Sequence, residues 1–149
     1  ANMNRIQQLL KKPAVLFSKV NETEIDTFQV LIIDSVGLLS SLYRYGKIAY
    51  IGGGFGVGIH NILEAATFGL PVIFGPNYKK FKEAVDLTVE GGACPVSDFG
   101  ELRNALNKLI SQKTELDKAS EICKNYVAKN VGSTKLIIKK VFNTKTFSD

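Results

Sequence analysis

The chain has 149 residues, a length typical of one domain. Hydrophobic residues make up 45% of it and charged residues 22%, as in an ordinary water-soluble protein. It has no apolar run of about 18 residues, so we expect no membrane-spanning helix, and its polar, amphipathic start is unlike a signal peptide. The two cysteines and single histidine lack metal-ligand spacing, so we expect no metal site and reduced, structural cysteines in a cytoplasmic protein.

The net charge of +5 comes mostly from lysines spread over the C-terminal third, for example Lys135, Lys139, Lys140 and Lys145. Such a spread is typical of a solvated face, and it also fits an anionic ligand, an anionic membrane surface or nucleic acid. The chain lacks the basic motifs with interleaved aromatic residues that RNA-binding domains carry. We therefore expect no nucleic-acid partner.

Short apolar runs and amphipathic stretches alternate along the chain. The apolar runs predict about five strands, at residues 14–17, 28–34, 47–54, 70–76 and 93–96. The amphipathic stretches predict helices at residues 4–11, 36–46, 60–68, 78–92, 97–111, 115–129 and 133–142. Gly46, Gly69 and Gly91 are placed to end helices, and Glu101 is placed to form a capping box with Ser97 or Asp98.

This order of elements predicts an α/β fold, a three-layer, Rossmann-like, doubly wound parallel sheet. The strands are continuous apolar runs, as expected when helices cover both faces of a parallel sheet. Ligands bind such sheets at the carboxyl ends of the strands. The polar or glycine-rich segments 34–35, 52–58 and 75–77 each follow a strand, so we expect all three at one edge. The last two predicted helices, at 115–129 and 133–142, either cap the sheet or reach towards another domain.

Residues 52–58, with the sequence GGGFGVG, form a glycine loop directly after a predicted strand. They fit neither the dinucleotide motif G-x-G-x-x-G nor a P-loop, because His60 and Asn61 stand where a P-loop has Lys and Ser or Thr. Glycines after a strand still let backbone N–H groups approach an anion, and a helix starting near His60 would add its positive end. The loop therefore indicates an anion site, and the alternative is a turn that only caps the helix.

Two further segments carry candidate polar groups. Glu64 follows His60 by four residues, so a helix would place both on one face, where the carboxylate suits a ribose or sugar hydroxyl pair. The alternative is a surface or capping glutamate, and no acidic partner for His60 as a general base can be identified. After the strand at 70–76, we expect Asn77 and Tyr78 to face the same crevice, with Lys79 or Lys80 either balancing a phosphate or solvated.

The segment 34–93 resembles the donor-binding half of the bacterial 3-deoxy-D-manno-octulosonic acid (Kdo) transferases, and the resemblance extends over about residues 28–110. The family motifs are D-[TS]-x-G-x-L…Y, a strand ending in Gly-Gly, H-N-x-L-E, and G-x-P-V-x-x-G-P with a following aromatic residue. The matching residues are Asp34, Ser35, Gly37, Leu39, Tyr43, Gly52, Gly53, His60, Asn61, Leu63, Glu64, Gly69, Pro71, Val72, Gly75, Pro76 and Phe81. Two positions depart from the family: Ile59 replaces a glycine before the histidine, and Ile62 replaces a proline after the asparagine.

The resemblance implies a GT-B glycosyltransferase with two Rossmann-like domains, of which residues 1–149 would be the C-terminal domain that binds the donor CMP-Kdo. The N-terminal domain would bind a lipid A precursor and supply the catalytic base, so no catalytic residue is expected in this chain, which alone would be inactive. The implied enzyme uses neither cofactor nor metal and works at the cytoplasmic face of the bacterial inner membrane. The donor-binding residues that it implies are Gly53, Gly54, Gly56, Gly58, His60, Asn61, Glu64, Pro76 and Asn77.

The resemblance also implies a role for each part of this set. The loop backbone would meet the donor's phosphate or carboxylate, and Asn61 and Glu64 would bind nucleotide or sugar hydroxyls. His60 would help to shape the site, and Pro76 and Asn77 would line it. Two alternatives stay open: the donor domain of another GT-B enzyme that uses a UDP- or GDP-sugar, and a non-catalytic nucleotide-binding module.

Overall fold

The computed structural model describes residues 3–132, 137–138 and 140–141. The chain divides into two compact units, with the boundary between Leu42 and Tyr43. The first unit contains helix α1 (Met3–Leu9), strands β1 (Ala14–Leu16) and β2 (Val30–Ile32), and the short helix α2 (Leu39–Leu42). Its two strands pair in parallel, with Ala14 opposite Val30 and Leu16 opposite Ile32.

The second unit contains a parallel sheet in the order β3-β4-β5, formed by Ala49–Tyr50, Val72–Phe74 and Ala93–Pro95. Ala49 pairs with Val72, which pairs with Ala93, so the three strands begin at one edge of the sheet and end at the other. Its helices are α3 (Leu63–Thr67), α4 (Lys82–Glu90), α5 (Phe99–Ser111) and α6 (Lys113–Asn130). Helix α6 packs against α3, α4 and α5.

The core of the second unit is centred on β4, because Val72, Ile73 and Phe74 have no exposed surface. Burying an aliphatic or aromatic side chain of this size contributes about 2 kcal/mol relative to leaving it in water. Leu87 on α4 and Cys123 on α6 are also completely buried and belong to the same apolar cluster. A strand that is buried on both faces explains why its sequence is a continuous apolar run.

Local signals set several of the helix ends. Gly91 ends α4 with φ of 92°, and its N–H donates to the Leu87 carbonyl. The capping box before α5 is formed by Asp98: its Oδ1 accepts from the Glu101 N–H at 2.9 Å, and Glu101 Oε2 accepts from the Ser97 N–H at 2.7 Å. Each arrangement satisfies backbone groups that a helix end leaves without a partner.

The α/β class with parallel strands is confirmed, and the predicted strands are all present, paired as one two-stranded and one three-stranded sheet. Several predicted helices were too long: that at 36–46 is α2 followed by a 3-10 turn (Tyr43–Tyr45), and that at 60–68 begins only at Leu63. Most of the predicted helix at 133–142, together with Lys135, Lys139 and Lys145, lies outside the described residues.

Candidate functional site

The glycine loop after β3 is closed on itself by backbone hydrogen bonds. An antiparallel bridge joins Gly53 to Ile59, the Gly54 N–H donates to the Gly58 carbonyl at 2.8 Å, and the His60 N–H donates to the Gly52 carbonyl at 3.2 Å. The chain therefore leaves the sheet, makes a small loop and returns before α3 begins. These bonds do not use the N–H groups of residues 55–57, at the tip of the loop.

The next loop, after β4, touches the glycine loop backbone to backbone. A Cβ atom added to Gly54 would lie 2.7 Å from the Gly75 Cα, and one added to Gly75 would lie 2.7 Å from the Gly54 carbonyl carbon. Gly54 also has φ of 80°, a conformation that residues with a side chain rarely adopt. Glycine is therefore required at both positions for the loops to meet.

Asn77 fastens the two loops together. Its N–H donates to the Gly54 carbonyl at 2.9 Å, and its side-chain Nδ2 donates to the Gly56 carbonyl at 2.8 Å. The structure thus brings together two of the three segments that the sequence placed at one edge. The Asn77 side chain thus hydrogen-bonds to the glycine loop. This role was not predicted, because the partner lies 21 residues away in the chain.

The tip of the glycine loop is open. No atom lies within 4 Å of a Cβ added to Gly56, and its neighbours Phe55 and Val57 are exposed, Val57 at 92%. Gly58 instead lies against Phe81, whose Cε2 would be 2.9 Å from an added Cβ. The ammonium group of Lys80 lies 5.5 Å from the centre of the Phe81 ring, so it brings a positive charge to this side of the loop.

Asn61 and Glu64 form a hydrogen-bonded pair at the start of α3. Asn61 Oδ1 accepts from the Leu63 N–H at 3.0 Å, and its Nδ2 donates to Glu64 Oε1, also at 3.0 Å. Asn61 therefore accepts from the first N–H of the helix, and it leaves the second oxygen of the half-buried Glu64 carboxylate for another donor. Burial raises the pKa of the neighbouring Tyr43 hydroxyl, and the charge of Glu64 raises it further.

His60 does not lie on α3. The helix begins at Leu63, three residues after His60, and has five residues, so the expected placement of His60 and Glu64 on one helical face is wrong. The imidazole is exposed beside Gly52, where an added Cβ would lie 3.7 Å from His60 Cδ2. No carboxylate in the described ranges hydrogen-bonds to it, so the structure gives this histidine no general-base geometry.

Asp34, which the motif also contains, belongs to the first unit. Its carboxylate accepts hydrogen bonds from the Ser18 N–H at 3.0 Å and the Ser18 hydroxyl at 2.5 Å. These bonds hold the pKa of Asp34 below its ordinary value. Asp34 therefore links the segments that follow β1 and β2. The sequence did not predict this link, because Ser18 and Asp34 are 16 residues apart.

The described part of the chain gives no sign of a metal centre or a membrane span. Within residues 3–132, 137–138 and 140–141, no three His, Cys, Asp or Glu side chains come together in a group that could hold a metal ion. In the same ranges, every helix is too short or too polar to cross a bilayer.

No protein-family model matches the chain. Curated relatives named 3-deoxy-D-manno-octulosonic acid transferase do match it. The protein from Aquifex aeolicus is 39% identical over 105 residues, which cover 67% of this chain and 30% of the relative. The protein from Haemophilus influenzae is 29% identical over 140 residues, which cover 91% of this chain and 33% of the relative. The chain thus spans about a third of the length of these relatives.

Solved structures share the fold. One of them is described as the C-terminal CMP-Kdo binding domain of WaaA from Acinetobacter baumannii, and it superimposes with a TM-score of 0.59 at 22% identity. The match covers 80% of this chain and 65% of that one. The resemblance in the sequence motifs is confirmed by both comparisons. The chain therefore belongs to the family of 3-deoxy-D-manno-octulosonic acid transferases and has the fold of a C-terminal domain from that family.

Proposed function

We propose that this chain is the donor-binding domain of a Kdo transferase and that it binds CMP-Kdo at the glycine loop. The observation that carries the proposal is the pair of loops joined by Gly54, Gly75 and Asn77, with exposed backbone at the tip. Relatives whose similarity covers most of this chain are named as this transferase, and the structural neighbour is described as a CMP-Kdo binding domain.

The geometry suits a ligand that has two anionic groups and several hydroxyls. CMP-Kdo carries a phosphate and a sugar carboxylate, and successive backbone N–H groups at a loop tip are good donors to such oxygens. The N–H groups of residues 55–57 are not used by the bonds that close the loop, and Lys80 adds a positive charge nearby. We assign the anionic part of the donor to the loop that contains Gly53, Gly54, Gly56 and Gly58, with the N–H groups of residues 55–57 as the proposed hydrogen-bond donors.

The Asn61–Glu64 pair suits the hydroxyl groups of the donor. A carboxylate held by one amide hydrogen bond keeps a free oxygen, which accepts well from a ribose or sugar hydroxyl. We assign His60 to the wall of the site, because its ring is exposed next to Gly52. Pro76 lies between Gly75 and Asn77, so it lines the same crevice.

We propose that the whole enzyme transfers Kdo to a lipid A precursor at the cytoplasmic face of the inner membrane. A hydroxyl oxygen of the acceptor would attack the anomeric carbon of Kdo, the bond from that carbon to the phosphate oxygen would break, and CMP would leave with the electron pair. A base outside this chain would take the hydroxyl proton. A domain that holds only the donor cannot position the acceptor, so we expect no transfer by this chain alone.

Calorimetric titration of the 149-residue chain with CMP, UMP and GMP tests this assignment. We expect CMP to bind at least about tenfold more tightly than the other two, since the proposed donor is a cytidine nucleotide. Glu64→Gln should weaken CMP binding about fivefold, because it removes a charge-assisted hydrogen bond. Glu121→Gln is the matched control, since Glu121 is exposed on α6. Equal affinity for the three nucleotides would contradict the CMP-Kdo assignment.

A further inference from the structure

A second concave site lies within the second unit, at the opposite edge of its sheet from the glycine loop. It is a cleft of about 630 Å³, within the size range of small-molecule sites. Segments 46–48 and 68–70, which form one side, precede β3 and β4, so they lie where the parallel strands begin. The end of α5 and the first half of α6 form the other side. The proposed donor-binding residues do not line it.

Apolar side chains from three parts of the fold form the walls of this cleft. Leu70 lies at its base with 4% of its surface exposed, and Phe68 and Leu116 are half-buried beside it. Ile110, near the end of α5, is 72% exposed although it borders the cleft. The cleft therefore offers an apolar surface on which an extended hydrocarbon chain can lie.

The rim of the cleft is positively charged. It contains three lysines, Lys47, Lys113 and Lys124, and one carboxylate, Asp117. Lys113 is paired with Asp117 at 3.4 Å, whereas Lys47 and Lys124 have no ionic or hydrogen-bond partner within the described residues. Three lysines and one aspartate give the rim a net charge of +2. Two of its ammonium groups, those of Lys47 and Lys124, are unpaired within the described residues.

The position of Lys124 is fixed by packing against the turn between α3 and β4. Its aliphatic stem crosses Gly69, where a Cβ would lie 2.8 Å from the lysine Cγ, and Gly69 has φ of 72°. The Ser120 hydroxyl, one turn earlier on α6, donates to the Gly69 carbonyl. The stem therefore lies over the turn at Gly69 in an otherwise exposed side chain, an arrangement that long basic side chains commonly adopt.

We propose that this cleft binds an amphiphile with an anionic headgroup. The hydrocarbon chain lies along Phe68, Leu70 and Ile110, and the headgroup lies between the ammonium groups of Lys47 and Lys124. A purely polar anion would not use the apolar walls, and a neutral or cationic amphiphile would leave the two ammonium groups uncompensated. The shared chemistry is a phosphate or carboxylate on a hydrocarbon chain, which either a free single-chain molecule or a bilayer lipid can present. This site does not depend on the proposed donor site.

Dodecyl phosphate below its micelle concentration is the soluble probe, and dodecyltrimethylammonium is the control of opposite charge. In amide NMR spectra of the 149-residue chain, we expect dodecyl phosphate to shift residues 46–48, 68–70 and 109–124 and to leave 52–61 unchanged. Flotation with phosphatidylglycerol vesicles, against phosphatidylcholine vesicles, tests the bilayer as the source. Binding of the soluble probe or of the anionic vesicles supports the site and identifies which source it accepts.

The double variant Lys47→Glu/Lys124→Glu should weaken binding of the phosphate probe about tenfold or more, since two attractions become repulsions. Lys118→Glu/Lys129→Glu changes the net charge equally at exposed positions of α6 that do not line the cleft, and it should bind normally. Lys47→Glu alone tests the charge without disturbing the stem over Gly69, and about a threefold loss is expected. Absence of binding to both sources, equal shifts with the cationic amphiphile, or equal loss in both double variants would overturn the proposal.

Discussion

Gly54 and Gly75 contact each other through their backbones, and this contact sets the shape of the candidate site. A Cβ on Gly54 would lie 2.7 to 2.9 Å from three backbone atoms of Gly75, closer than such atoms approach in folded proteins. The two glycines follow neighbouring strands, β3 and β4, so the contact also fixes how the two loops leave the sheet. The residues at the loop tip, 55–57, are exposed, and their N–H groups are not used by the bonds that close the loop.

Gly75→Ala should therefore damage both stability and ligand binding. The added methyl group meets backbone atoms that cannot move independently, so we expect a loss of about 2 kcal/mol in the free energy of unfolding. Gly56→Ala is the matched control, because no atom lies within 4 Å of its added Cβ and its φ is not positive. Urea unfolding measures both variants. A Gly75→Ala variant as stable as Gly56→Ala would show that the loops do not touch.

Asn77→Ala should loosen the glycine loop while leaving the rest of the second unit folded. It removes the side-chain hydrogen bond to the Gly56 carbonyl but keeps the backbone bond to Gly54. We expect the affinity for CMP to fall about fivefold, in line with the loss of one hydrogen bond that positions the ligand donors. Asn104→Ala, at an exposed position of α5, should bind CMP normally. Unchanged CMP affinity in Asn77→Ala would show that the hydrogen bond to Gly56 does not position the groups that bind CMP.

Asn61→Ala should destabilise the start of α3 and release Glu64. The variant loses the bond from the Leu63 N–H, and loss of a helix cap costs about 1 kcal/mol. Asn61→Asp keeps an oxygen for the Leu63 N–H but places a second carboxylate beside Glu64, so we expect stability near wild type and weaker binding of the anionic donor nucleotide. Thermal unfolding measures the effect on stability, and CMP titration measures the effect on binding. Equal stability and equal CMP affinity in the two variants would contradict these roles of Asn61.

Asp86 should contribute to acid sensitivity. Hydrogen bonds from Lys82 and from the Tyr126 hydroxyl, the latter at 2.9 Å, hold the pKa of Asp86 below its ordinary value. The stabilisation is therefore complete above the unfolded-state pKa, which is about 4, and is lost as the pH falls through the lower folded-state value. In Asp86→Asn, unfolding free energy should fall less between neutral pH and pH 3 than in wild type. Asp117→Asn is the control, and equal pH dependence of Asp86→Asn and wild type would contradict the assignment.

Cys123 should be unreactive until the chain unfolds. Burial raises the pKa of its thiol to about 12, and the S–H group points to the Gly92 carbonyl at 3.2 Å. At pH 8 almost no thiolate forms, so a thiol reagent should label Cys123 only in denaturant. The Cys94→Ser variant isolates this thiol for the measurement. Rapid labelling of native Cys94→Ser would show that Cys123 is accessible.

The sequence predicted those parts of the fold that depend on local signals. The apolar run at Val72–Phe74, the glycine at the end of α4 and the Asp98–Glu101 capping box all act within a few residues, and each is present. The start of α3 was placed too early, because the backbone bond from His60 to Gly52 holds His60 in the loop closure. Backbone hydrogen bonds of this kind leave no signature in residue type.

The sequence predicted that segments 52–58 and 75–77 lie at one edge of the sheet, but not the contacts that join them. Asn61, Glu64 and Asn77 were expected near the glycine loop. In the structure, Asn61 bonds to Glu64, and Asn77, which follows β4, bonds to the glycine loop. The hydrogen bond from Asn77 to the glycine loop and the close backbone contact between Gly54 and Gly75 each join residues that are 21 apart in the chain. The lysine-rimmed cleft was not predicted, because its cations come from separate segments that only the fold brings together.

The two joined loops are proposed to bind the nucleotide of the donor. The most direct measurement is an amide NMR titration of the 149-residue chain with CMP, with UMP and NAD as controls. We expect shifts at residues 52–64 and 75–77 with CMP, much smaller shifts with the controls, and none at residues 109–124. Shifts elsewhere, or no shift in either loop at millimolar CMP, would contradict the assignment of the donor site to this chain.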